Sequence, residues 1–177
     1  MINDLTLNNI LHKPTAANHE RQTNTCTQRK INETISVYTH GVRSDKTYDL
    51  DRGGWGVVIV RGGEVETKSG HVFNATLRGI EMVSCIQALQ ILSAETSSIK
   101  IYSCSDYVVN CMSQQWYKSW RRNRWKTSTN KPVVHKEQWR ELIRLSESKR
   151  VVFRKIEAHC GNEFHDMAEK LAIEELR

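Results

Sequence analysis

Between Trp116 and Lys126 the chain interleaves cations with aromatic rings: Lys118, Arg121, Arg122, Arg124 and Lys126 stand among Trp116, Trp120 and Trp125. Such a mixture suits a phosphate backbone and its sugars. The same residues also suit a structural arrangement, with the indoles packed on a core and the guanidinium groups facing water, and the two roles are compatible. A second stretch, Gly79 to Asp106, carries an apolar helical pattern with one acidic residue, Glu81, and then a short strand pattern ending at Cys104. The five cysteines are Cys26, Cys85, Cys104, Cys111 and Cys160, an odd number without a C-x-x-C pair. Neither a disulfide framework nor a zinc finger is indicated, and an intracellular, reducing compartment is expected.

The elements that must position these groups are legible from periodicity. Ile35 to Thr39 alternates as a strand, and Trp55 to Val60 reads as a buried strand preceded by Gly53-Gly54. Arg61-Gly62-Gly63 is a hairpin turn, and Glu64 to His71 alternates as a third strand. Ile80, Val83, Ile86, Ala88, Leu89 and Leu92 recur at helical spacing, predicting a helix over 77–94. Ile99 to Ser103 is a fourth strand, with Ser105 or Asp106 capping a helix whose pattern continues toward Trp116 and Trp120. Trp139, Leu142, Ile143 and Leu145 mark another helix, Val151 to Glu157 a fifth strand, and Phe164 to Leu176 the last helix. A meander followed by β-α crossovers predicts an α/β fold, a mixed five-stranded sheet flanked by helices.

The 177 residues suffice for one sizeable core, and 38% hydrophobic with 26% charged residues is ordinary for a globular chain. The net charge of +6 favours an anionic partner, nucleic acid first. No apolar run approaches a membrane span, and no signal peptide is expected, since Met1-Ile2-Asn3-Asp4 lacks both a basic region and an apolar core. Residues 1–33 are polar and poor in aromatics, and are expected to form a disordered or docking arm, with Ile2, Leu5, Leu7, Ile10 and Leu11 available to a protein partner. The globular domain is expected over residues 34–177.

Local motifs along the domain resemble those of the ribonuclease H family. Tyr38-Thr39-His40-Gly41 is similar to its aromatic-Thr-Asp-Gly, and Ile80-Glu81-Met82 to its helix motif Met/Ala-Glu-Leu/Ile. Tyr102-Ser103-Cys104-Ser105-Asp106-Tyr107-Val108 is similar to Ser/Tyr-Thr-Asp-Ser-x-Tyr-Val, and Ala158-His159-Cys160-Gly161 to Gly-His-x-Gly. Met167 to Ala172 is similar to the closing x-Ala-Asp-x-Leu-Ala. The basic stretch from Trp116 resembles the protruding handle of cellular-type ribonucleases H, which retroviral domains often lack.

The resemblance implies the ribonuclease H-like fold and a site where four carboxylates, Asp-Glu-Asp-Asp, hold two Mg²⁺ and cut the RNA strand of an RNA–DNA hybrid. The corresponding positions here are His40, Glu81, Cys104 and Glu169, with His159 at the position of the loop histidine that helps product leave. Two acidic oxygens have become imidazole and sulfur, poor ligands for Mg²⁺. The charge of the four positions falls to about −2. Asp45, Asp49, Asp51, Asp106 and Asp166 are the neighbouring carboxylates from which compensation would have to come. The resemblance also puts Thr76 and Arg78 on the nucleic-acid surface, although the family's asparagine pair has been replaced by Leu77-Arg78.

The leading expectation is a catalytically inactive ribonuclease H-like protein. It would bind RNA or hybrid through Thr76, Arg78, Lys118, Trp120, Arg121, Arg122, Arg124, Trp125 and Lys126 as a subunit of a larger nucleoprotein assembly. No metal or other cofactor is expected. A minor alternative is one Zn²⁺ on His40, Cys104, Glu81 and Glu169. The rival readings are a divergent active hybrid nuclease requiring Mg²⁺, and a protein-interaction domain without nucleic-acid binding.

Overall fold

The computed structural model of the chain describes residues 33–44 and 52–177. The arm expected over residues 1–33, all but its last residue, lies outside them, as do Cys26 and the loop carboxylates Asp45, Asp49 and Asp51. Three antiparallel strands open the domain: β1 (Ile35–Arg43), β2 (Arg52–Arg61) and β3 (Glu64–Phe73). The two-residue turn Gly62-Gly63 joins β2 to β3 with both φ angles positive, the conformation that a tight hairpin of this hand demands. The helix α1 (Leu77–Ile91) then crosses to β4 (Ile99–Ser103). α2 (Asp106–Ser113), α3 (Trp116–Arg122) and α4 (Lys136–Glu147) lead to β5 (Val151–Lys155), and α5 (Glu163–Glu174) closes the chain. The sheet order is β3-β2-β1-β4-β5, with β4 parallel to both β1 and β5.

This is the mixed five-stranded sheet anticipated from periodicity, with differences at the element ends. The helical pattern from Tyr107 toward Trp120 is broken into two helices at Gln115, which has φ 57°. Just before the break, the Ser113 hydroxyl donates to the Val109 carbonyl at 2.7 Å, a local bond that competes with helix continuation. Ser105, rather than Asp106, caps α2 by accepting from the Val108 N–H. β3 extends two residues past His71, and β5 ends before Ile156. Among the described residues no helix is long and apolar enough to cross a membrane.

The core lies between the sheet and α1, α2 and α4, where Val37, Ile80, Leu89, Ile101, Trp139 and Leu142 are fully buried. Successive residues of a strand face opposite sides. On β2, a side-chain carbon at Gly53 would meet Ile80 of α1, whereas one at Gly54 or Gly56 would collide with the carbonyl oxygens of Ala172 or Ala168 on α5. The two helices therefore cover opposite faces of the sheet, and α5 rests its backbone directly on β2. Ala168 and Ala172, both fully buried, complete this close approach. Backbone oxygens cannot swing aside as a side chain can. Gly56→Ala is thus expected to cost about 1–3 kcal/mol of stability, visible as a lower urea midpoint with an unchanged slope.

Candidate functional site

Where β1 and β4 run parallel, their side chains meet residues of α1 and α5. His40 lies on β1 with only 8% of its surface exposed. The next residue, Gly41, faces α1: a side-chain carbon there would lie 2.9 Å from the Glu81 backbone nitrogen, so the missing side chain lets α1 bring Glu81 against the strand. α1 itself starts at Thr76, whose hydroxyl accepts from the Gly79 N–H at 3.2 Å. Cys104 follows the last residue of β4. Glu169 lies on α5, held near β1 and β2 by the glycine contacts.

His40 Nδ1 lies 3.5 Å from the Cys104 sulfur and 3.4 Å from His165 Nε2. The donor atoms of these three residues all fall within 4.8 Å of one another. His165 is fully buried and its Nδ1 has no hydrogen-bond partner. The two glutamates are otherwise engaged. Glu81 accepts from the Ser105 hydroxyl at 2.5 Å, and Glu169 lies 3.3 Å from His159 Nδ1. The four motif positions thus come from four elements to one region, but the closest cluster is His40, Cys104 and His165.

Burial dominates the electrostatics. It lowers the pKa of His40, helped by the neighbouring His165, and it lowers that of His165. Burial raises the Cys104 thiol, and the Glu81 charge raises it further. Glu81 is itself raised by burial, against the pull of its Ser105 hydrogen bond. For His40, His165, Cys104 and Glu81, burial thus favours the uncharged form.

Of the remaining cysteines, Cys85 and Cys111 are buried with thiols pushed up to about 12, in keeping with packing roles, and Cys160 is exposed and free. Asp106 pairs outward with Lys155 at 3.1 Å and is 77% exposed. Asp166 has one carboxylate oxygen buried without a partner.

His165 was missed in the sequence. Its one available signal was its spacing of four residues before Glu169, which puts both on one face of α5. His135 was missed as well: its Nε2 lies 2.8 Å from the Thr76 hydroxyl expected to contact nucleic acid. Arg78 stacks over the Tyr107 ring at 5.0 Å.

The structure places the indoles and the cations of the basic stretch differently. Trp120 and Trp125 are half-buried against the core, whereas Trp116 is 38% exposed. Lys118, Arg122, Arg124 and Lys126 are exposed, and among the described residues Arg122, Arg124 and Lys126 form no ion pair. Arg121 differs from the expectation: its guanidinium grips Glu147 through two bonds of 2.6 and 2.9 Å. A fork already filled by a carboxylate is less available to a phosphate.

The RNase H family model matches residues 32–177. The ribonuclease H of Chlorobaculum parvum is 35% identical over 142 residues, covering 80% of this chain and 94% of that protein. The ribonuclease H of Acetivibrio thermocellus is 36% identical, covering 81% and 95%. Among solved structures, LC9-RNase H1, described as a type 1 RNase H with the type 2 active-site motif, superposes with a TM-score of 0.69 at 18% identity, covering 81% of this chain and 72% of that one. LC11-RNase H1, solved with an RNA/DNA hybrid, gives 0.58 at 20% identity, covering 81% and 99%. Sheet order, motif placement and these matches over nearly the whole described domain agree, and the chain belongs to the ribonuclease H family.

Proposed function

We propose that this chain is a nucleic-acid-binding member of its family that does not cut RNA–DNA hybrids by the two-magnesium route. The observation that carries the reading is the contact of His40 and Cys104, which stand where the motifs lead one to expect carboxylates, with each other and of His40 with His165. Magnesium takes hard oxygen ligands in near-octahedral array and sheds its waters reluctantly. Two imidazoles, a thiol and two glutamates already bonded to Ser105 and His159 do not fit a pair of such ions. The positive face of Lys118, Arg122, Arg124 and Lys126 supports retention of binding to RNA or hybrid. Service inside a larger nucleoprotein assembly, docked through residues 1–33, belongs to the same reading. The free thiols Cys85, Cys104, Cys111 and Cys160 favour a reducing compartment for it.

A second reading has an observation of its own. The relatives named ribonuclease H match over more than nine-tenths of their length, which favours hybrid cleavage. A labelled hybrid incubated with Mg²⁺ or Mn²⁺ separates the two. The expected result is no cutting above background; cleavage that disappears in Glu81→Gln would establish the second reading.

Binding is tested separately. Hybrid affinity is expected to fall steeply as salt rises. Replacing Arg122, Arg124 and Lys126 together by Ala should reduce the slope of log affinity against log salt by about 2–3, at roughly 0.9 for each phosphate no longer neutralised. Arg121→Ala should change the slope less, because its charge is already paired with Glu147. Absence of binding at low salt would leave the protein-interaction reading.

A further inference from the structure

We propose that His40, Cys104 and His165 form a binding site for a single borderline-soft divalent cation, zinc first, in a region where the family motifs lead one to expect carboxylates. The inference rests on the reading that imidazole and thiol have displaced the magnesium ligands, but it makes its own claim about what the new donors do. It also differs from the zinc set considered from sequence, since His165 takes the place of both glutamates.

Distance carries the argument. With Zn–N of about 2.0–2.1 Å and Zn–S of about 2.3 Å, tetrahedral angles separate two nitrogen ligands by about 3.3 Å and a nitrogen from a sulfur by about 3.5 Å. The structure gives 3.4 Å for His40 Nδ1 to His165 Nε2 and 3.5 Å for His40 Nδ1 to Cys104 Sγ, and keeps the Cys104 and His165 donor atoms within 4.8 Å of each other. The nitrogen–nitrogen separation is longer than a good nitrogen hydrogen bond of about 2.9–3.0 Å. Hydrogen bonding does not satisfy the cluster either. His40 Nδ1 faces two partners with one lone pair or one proton, and His165 Nδ1 is buried with none.

Donor chemistry points the same way. Two imidazoles and a thiolate are ligands for zinc, and three protein ligands leave the fourth tetrahedral corner to water. On binding, the cation displaces the thiol proton to solvent, so Zn²⁺ and the Cys104 thiol become a zinc thiolate and one released H⁺. Glu81 and Glu169 add negative charge around the cation, and both already influence the cluster electrostatically. His40 lies on β1 and His165 on α5, and Cys104 directly follows β4. Lys155 Nζ donates to the Cys104 carbonyl at 2.6 Å, and the Asn162 side chain caps α5 by accepting from the His165 N–H at 3.0 Å.

The full-length chain, stripped with a chelator, is expected to take up one equivalent of zinc in competition with a chromophoric chelator. Cobalt(II) in its place should show the visible bands of a tetrahedral site and a thiolate-to-metal charge-transfer band. Cys104→Ser should abolish that band, and His165→Asn should weaken zinc by more than about 100-fold, since even partners outside a ligand set cost about 10–100-fold. Cys26→Ser should change neither. Alkylation of the unmutated protein supplies a readout that needs no variant to fold. Zinc should protect Cys104 while exposed Cys160 still reacts. Retention below about a tenth of an equivalent, uptake that survives both variants, or equal labelling of Cys104 with and without zinc would overturn the site. Those outcomes leave the question of magnesium-dependent cleavage untouched, and cleavage of hybrid by the unmutated protein decides that question alone.

Discussion

Replacing His40 and Cys104 together by Asp is expected to create magnesium-dependent cleavage of RNA–DNA hybrid, if the chain is inactive as proposed. Restored acidic oxygens would stand with Glu81 and Glu169 at the four positions that the family motifs give to carboxylates. Bound metal contributes several kcal/mol of charge stabilisation to a phosphoryl transition state, corresponding to about a hundred- to ten-thousandfold in rate. Part of that gain is held back by His165. Its Nε2 lies 3.4 Å from the His40 imidazole that the new carboxylate would replace. A carboxylate there would draw a proton onto His165 and pair with it in competition with the cation. The triple variant that adds His165→Asn should therefore cut faster than the double. Adding Glu81→Gln to either should return cleavage to background. A folded double or triple variant that binds hybrid but stays silent would show that residue type at these positions does not decide whether the chain cuts.

Much of the architecture could be read before any coordinates, because burial writes itself into periodicity. The alternation of Ile35 to Thr39 and the helical recurrence of Ile80, Val83, Ile86 and Leu89 each report a single buried face, and those faces are where the structure has them. The helix whose backbone Gly54 and Gly56 accommodate could not be named from the sequence. What failed to show was what depends on conformation rather than pattern. The break at Gln115 is a left-handed residue in a polar run that periodicity passes over. The pairing of Arg121 with Glu147 joins residues 26 apart, and sequence alone made Arg121 equal to its basic neighbours. His165 was hidden for a related reason. Motif matching led to Glu169, the position expected to carry charge, and the side chain that reaches His40 comes from the turn before it.

Removing the Trp139 side chain is expected to damage the domain more than Gly56→Ala does. The indole is fully buried on α4, its Nε1 donates to the Tyr107 hydroxyl at 3.1 Å, and Tyr107 and Trp120 meet it edge-on at 5.2 and 5.5 Å. Trp→Ala in a core costs about 3–5 kcal/mol, against a total stability of about 5–15 kcal/mol for a domain. Trp139→Ala should accordingly lose a large fraction of its resistance to urea. Trp139→Phe keeps most of the packing and forfeits one hydrogen bond, so its cost should be smaller. Trp116→Ala, at a side chain 38% exposed, should cost less than Trp139→Ala. The effect should also reach the basic face. Trp120 rests on Trp139, and α3 carries Lys118 and Arg122, so loosening this packing unfixes the cations relative to the sheet. At temperatures where Trp139→Ala is still folded, its hybrid affinity should fall although no charge has been removed. Unchanged affinity would mean that the cations act as a diffuse positive field and need no fixed placement.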